Sequence, residues 1–229
     1  MDGSTGDPGL FCSAIARCIC KGSRMIANRV PASRIALFVG LIVVGCAADL
    51  STKSWIFSRL GMPFESAPIV LVPGVFSLTT SLNDGALFGL GQGMTRAFTV
   101  LSAMAAIGIF YWLFFAGAGR DTWLTVALAS LMAGIFGNLY DRLGLPGLIW
   151  QSPSPKAGQP VHAVRDWLHF EIRKIGFDWP VFNLADSMLV LGACMLFWHV
   201  AWRERRPGST DSPPTSDSSS ADSTRTSPT

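Results

Sequence analysis

Residues 179–202 read WPVFNLADSMLVLGACMLFWHVAW. The run is apolar and long enough to supply the ~20 helical residues that a hydrocarbon core requires. Near its start stand Asn183 and Asp186, three positions apart and so on one helix face. A carboxylate at membrane depth is costly, so such residues face a bundle interior, take partners and mark function.

Three more segments upstream have the same character: Arg34 to Ser54, Arg96 to Gly117 and Thr122 to Leu139. Together they predict an all-α membrane protein, a bundle of four transmembrane helices. Composition agrees. Of 229 residues, 49% are hydrophobic and 14% charged, well under the ~25% charge of an average soluble domain. Eight Trp, fifteen Phe and 23 Gly suit interfacial aromatics and close helix contacts. A net charge of +3 is too small to indicate nucleic acid.

The basic residues set an orientation. Arg17, Lys21, Arg24, Arg29 and Arg34 precede the first segment, Arg120 lies in the short turn between the second and third, and Arg203, Arg205 and Arg206 follow the fourth. By the excess of Lys and Arg in cytoplasmic loops, both termini are expected in the cytoplasm. Residues 1–33 then read as a cytoplasmic extension, 34–203 as the membrane domain and 204–229 as a cytoplasmic tail. From Pro207 onward the tail is almost all Ser, Thr, Pro, Asp and Gly, with too little apolar surface to offset the entropy of ordering it.

Two segments lie on the outer side. Residues 58–95 contain short apolar runs, Ile69 to Val72 and Val75 to Leu78, punctuated by Pro and Gly, and predict a small periplasmic β element. Residues 144–178 contain a Pro/Ser/Gly-rich loop from Gln151 to Pro160. They end in Phe170 to Phe177, whose apolar residues beside Arg173 and Lys174 predict an interfacial helix.

With four crossings, Asp49, Asp141, Asp166 and Asp186 meet Asn83, Asn138 and Asn183 at the outer face. The inner halves hold little but apolar side chains, which argues against the rival class, a small proton- or ion-coupled transporter with polar residues through the whole crossing. A non-catalytic scaffold is a third class. The acids have bland readings too. Asp186 could cap its helix, Asp141 and Arg142 could form a structural ion pair, and Asp166 could be a solvated surface acid.

Cys12, Cys18, Cys20, Cys46 and Cys194 show no disulfide pattern. His162, His169 and His199 have no ligand spacing, so no metal or other cofactor is expected. Two carboxylates without a Ser–His or Cys–His arrangement suit general acid–base hydrolysis by an aspartate pair sharing one proton.

Five motifs now stand in order: Asp49-Leu-Ser-Thr-Lys53, Asn83-Asp-Gly-Ala-Leu-Phe88, Gly137-Asn-Leu-Tyr-Asp-Arg142, Val164-Arg-Asp-Trp167 and Phe182-Asn-Leu-Ala-Asp186. From about Ile35 to Trp202 the chain resembles the lipoprotein signal peptidase (signal peptidase II) family. The resemblance implies a monomeric aspartyl endopeptidase of the bacterial inner membrane, with its active site on the periplasmic side. It implies cleavage of prolipoproteins just before a diacylglyceryl-modified cysteine, in contact with membrane lipid. It makes Asp166 and Asp186 the catalytic pair, supported by Asp49, Lys53, Asn83, Gly85, Asn138, Asp141, Arg142, Asn183 and Ala185. Three features depart from the family pattern: Leu87 and Gly89 after the second motif, Arg165 and Trp167 around Asp166, and a longer loop from Leu148 to Ala163.

Overall fold

The structure, a computed structural model, describes residues 30–85, 91 and 93–204. The readings made for the N-terminal extension before Val30, for Leu87, Gly89 and the rest of 86–90, and for the tail from Arg205 lie outside the described residues.

Four helices are long and apolar enough to cross a membrane: α1 (Ala32–Leu60), α2 (Thr95–Phe114), α3 (Thr122–Arg142) and α4 (Leu184–Glu204). Helix α3 is the central one, packed on α1, α2 and α4. Its start is fixed locally, with the Asp121 side chain accepting the Leu124 N–H at 3.1 Å as an N-cap. Close approach depends on small residues. A Cβ added at Gly134 would meet the main chain at Ala185 and the Leu189 side chain, and one at Gly137 would meet Asp49 and Ala185. These glycines let the first turn of α4 and the middle of α1 reach the α3 backbone.

Helix α1 runs six residues beyond the expected end at Ser54. Lys53 does not stop it, because Asp49 one turn earlier pairs with the ammonium at 2.8 Å. The added turns carry Ile56 and Leu60 into a cluster with Leu78 and Trp167, where each large side chain contributes ~1.5–3 kcal/mol of burial free energy. That cluster joins the helices to a sheet.

The expected small β element is present, and it is larger than the 58–95 segment alone. Strands β1 (Ile69–Val72), β2 (Phe76–Asn83), β3 (Val164–Ile172) and β4 (Phe177–Phe182) form one antiparallel sheet in the order β1-β2-β3-β4. The 58–95 element therefore finds its partners more than eighty residues downstream, with Ser81 opposite Asp166 and Phe76 opposite Phe170. The helix expected over Phe170 to Phe177 is absent. In its place is a hairpin that pairs Ile172 with Phe177 across the turn Arg173–Gly176. Leu168-His-Phe-Glu-Ile172 alternates apolar and polar at the strand period, and Gly176 at φ 67° adopts the left-handed conformation that closes such a turn. Helix α4 correspondingly starts at Leu184, since Trp179 to Phe182 belong to β4.

Candidate active site

Two adjoining networks occupy the polar end of the bundle, and they differ in what their acids face. The first is built on Lys53, which is fully buried. Its ammonium donates to Asn138 Oδ1 at 3.0 Å and lies 2.8 Å from Asp49 Oδ2 and 3.0 Å from Asp141 Oδ2. Three partners match the three N–H bonds of a lysine. Asp141 Oδ1 also accepts from Arg165 Nε at 2.8 Å, and Asp141 Oδ2 accepts the Arg165 backbone N–H at 3.1 Å. Asp49 Oδ1 accepts the N–H of Ala185 at 2.9 Å. Asp49 and Asp141 thus face cations and tie α1, α3, β3 and α4 together.

The second network is built on asparagines. Asn138 Nδ2 donates to Asp186 Oδ1 at 2.8 Å. Asn183 Nδ2 donates to Asp166 Oδ1 and, at 3.2 Å, to Asn138 Oδ1. The Asn83 side chain also hydrogen-bonds Asp166. Asn183 and Asp186 form a reciprocal cap, with the Asp186 N–H donating to Asn183 Oδ1 at 2.9 Å and the Asn183 N–H to Asp186 Oδ2 at 3.2 Å. The bland reading of Asp186 is therefore correct as far as it goes: the residue does cap its helix. Its other oxygen still turns toward Asn138 and the aspartate network.

Asp166 is on strand β3 and buried, not on a solvated loop. Burial first, and then the nearby charge of Asp186, push its carboxyl up to about 8. Amide donors stabilise a carboxylate less than an ion pair does, so an acid in these surroundings can hold a proton at neutral pH. The sequence-derived site residues are thereby brought together: Asp49, Lys53, Asn138, Asp141, Asn183 and Ala185 in the packed centre, Asp166, Asp186 and Asn83 around them. Gly85 and Arg142 sit at the edge, where Arg142 Nη2 donates to the Gly85 carbonyl at 3.0 Å. The adjacent-pair reading of Asp141 and Arg142 is not what forms, because Asp141 takes Lys53 and Arg165 instead. Arg165, read from sequence only as a departure, is the second cation of the buried network. Its place next to Asp166 on a strand, where neighbours alternate sides, was the available signal.

A groove of ≈ 740 Å³ opens at Asp186 and runs along Ser187, Val190, Leu191 and Cys194 of α4, facing Trp179 to Phe182 of β4. Its walls are mainly apolar, with Asn83 and Asp186 at the polar end.

One other constellation has the atoms of a hydrolase. His169 Nε2 lies 2.7 Å from Asp178 Oδ1, and His169 Nδ1 lies 3.5 Å from Ser77 Oγ. Ser77 is buried near the start of β2, opposite His169 in the ladder, and its burial denies a substrate carbonyl access to the hydroxyl. The array ties strands together.

The comparisons with known proteins give the family and the fold. The family model described as Signal peptidase (SPase) II matches residues 41–202. A lipoprotein signal peptidase of Rhodopirellula baltica is 45% identical over 171 residues, 72% of this chain and 72% of that protein. Those of Symbiobacterium thermophilum and Thermosynechococcus vestitus are 31% and 33% identical, covering 74% of this chain in each case and 97% and 94% of those proteins. Two solved structures of bacterial membrane enzymes share the fold. One has a TM-score of 0.64 at 22% identity, covering 81% of this chain and 98% of the other; the second has 0.58 at 23%, covering 76% and 96%. The chain belongs to the signal peptidase II family, multi-pass bacterial membrane proteases that remove signal peptides from prolipoproteins.

Proposed function

We propose that the chain performs this cleavage as an aspartic peptidase, with Asp166 and Asp186 sharing one proton, and that it cuts just before a diacylglyceryl-modified cysteine. The observation that carries the reading is the division of the four acids. Asp49 and Asp141 face Lys53 and Arg165, whereas Asp166 and Asp186 face asparagine amides.

Asp166, the more deeply enclosed, holds the proton and donates it to the scissile carbonyl oxygen. Asp186, which lines the groove, takes a proton from the attacking water. The two exchange roles when the tetrahedral intermediate breaks down and the leaving amine is protonated. Asn138 and Asn183 fix the direction of both carboxyl groups. The apolar groove along α4 suits the acyl chains or the apolar signal segment of a substrate that stays in the bilayer. All the groups come from one chain, which fits a monomer.

We place the dyad at the periplasmic side of the inner membrane. The basic residues Arg34, Arg120 and Arg203 lie at the opposite helix ends, and both termini are then cytoplasmic. Residues 34–203 form the peptidase domain in this reading.

The pH dependence follows from Asp166. Its carboxyl is raised to about 8 in the fold against ~3.9 in an unfolded chain. The folded state therefore binds the extra proton. This group favours the fold fully below pH ~4, and that contribution is lost as pH rises through about 8. Activity needs the same proton, so kcat/KM falls along an alkaline limb near pH 8. A rate profile flat from neutrality to pH ~10, where no carboxylic acid proton would survive, contradicts the shared-proton reading.

A further inference from the structure

The Pro/Ser/Gly-rich loop expected from Gln151 to Pro160 forms the outer part of a folded hairpin, residues 148–161. Trp150 donates its N–H to the Gln159 carbonyl at 3.0 Å, Gly158 to the Trp150 carbonyl at 2.9 Å, and Val161 to the Leu148 carbonyl at 2.9 Å. Leu148 and Trp150 at its base pack on the buried cluster of Met62, Val161 and Ala163. From its tip Lys156 reaches back 2.7 Å to Asp84 Oδ2, with its ammonium 5.3 Å from the Trp150 ring centre.

Asp84 sits between two of the supporting residues. Asn83 Oδ1 accepts the Gly85 N–H at 3.0 Å, which leaves the Asn83 amide hydrogens to serve Asp166. The turn is held from outside at three points: Thr95 Oγ1 donates to the Asp84 carbonyl at 3.0 Å, Arg142 Nη2 donates to the Gly85 carbonyl at 3.0 Å, and Lys156 takes the Asp84 carboxylate. The first two hold backbone. The third comes from the extra hairpin.

We propose that Lys156 is a positioning residue for the peptidase reaction: the hairpin clamps Asp84 so that the Asn83 amide stays on Asp166. The proposal rests on the reading of Asp166 as a member of the dyad. Asp166 also feels, through space, the charges of Asp186 on α4, Lys53 on α1 and Arg142 on α3; of these only Arg142 touches the clamped turn, at the Gly85 carbonyl. Loosening the clamp therefore acts on Asp166 through Asn83 and, in the same direction, through Arg142. The Asn83 hydrogen bond favours the charged form of Asp166, so its loss moves the alkaline limb of the rate profile upward.

The test uses the full-length protein in detergent or proteoliposomes, with a gel-shift assay on a lipidated precursor. Lys156→Glu sets two carboxylates against each other and lowers kcat/KM about fivefold, with the alkaline limb displaced upward. Lys156→Gln, which removes the charge without adding repulsion, lowers it about two- to threefold, the scale of one partly exposed ion pair. The double exchange Asp84→Lys with Lys156→Glu restores most of the loss. Should Lys156→Glu not accumulate as folded protein, Lys156→Gln and the exchanged pair decide the matter. Wild-type rate and pH profile in Lys156→Gln and Lys156→Glu, with Asp166→Asn inactive, overturn this inference and leave the dyad standing. A lower melting temperature with an unmoved alkaline limb also overturns it, as a purely structural role. Substantial activity in Asp166→Asn overturns the dyad itself, whatever Lys156 does.

Discussion

Asp166→Asn and Asp186→Asn each reduce cleavage of a lipidated precursor by ~10³-fold or more, within the range that positioned acid and base groups contribute, while the protein still folds. The substitution is nearly isosteric, so folding survives it. At 166 the new amide oxygen can still accept from Asn183 Nδ2, which now donates to Asp166 Oδ1. At 186 the oxygen facing Asn138 Nδ2 can be kept, whereas the amide nitrogen then meets the Asn183 backbone N–H that Asp186 Oδ2 accepts. That loss is the scale of one helix cap, ~1 kcal/mol. What neither asparagine can do is give up or receive a proton near neutral pH. The same substitution at Asp49 or Asp141 has another signature, because those carboxylates balance buried cations and their loss lowers stability as well as rate. A gel-shift assay beside a detergent melt separates the two pairs. Above about a tenth of wild-type activity in either dyad variant, the assignment is wrong.

Lys53→Met produces the largest stability loss in the molecule. The ammonium is fully buried and serves Asp49, Asp141 and Asn138 together. Without it, Asp49 keeps the Ala185 N–H and Asp141 keeps Arg165, but the charge balance of the pair is gone. Breaking a buried ion pair by removing one partner costs ~3–5 kcal/mol, a large share of the 5–15 kcal/mol typical of a fold. Lys53→Arg does not restore it. A guanidinium is broad and planar where three acceptors surround one compact nitrogen. Adding Asp49→Asn to Lys53→Met recovers part of the loss, since one uncompensated charge is removed. A melting temperature for Lys53→Met within a degree or two of wild type would show that the buried network does not hold the helices together.

The four crossings were legible because apolar length is a nearly direct signal of a membrane span. The convergence of Asp49, Asn138, Asp141, Asn183 and Asp186 followed from counting crossings. What could not be read was partnership. Nothing in the spacing of Lys53, Asp141 and Arg165 says that one ammonium and one guanidinium share a carboxylate, because those contacts join α1, α3 and β3, three elements well separated in the chain. The strand that carries Asp166 was not legible, and Phe170 to Phe177 read as a helix. Both misses have one source. β3 finds its partner β2 eighty residues away, and its own alternation is interrupted by Arg165 and Asp166, which occupy buried positions that an ordinary strand would fill with apolar side chains. The local pattern broke where the chemistry sits.

The shared proton is the claim on which the rest depends, and infrared spectroscopy of the protein in lipid observes it directly. A protonated carboxylic acid carbonyl band is expected at neutral pH, disappearing with a midpoint near 8 and missing at neutral pH from Asp166→Asn. A wild-type spectrum with no such band at neutral pH, or a band that Asp166→Asn leaves unchanged, would contradict it.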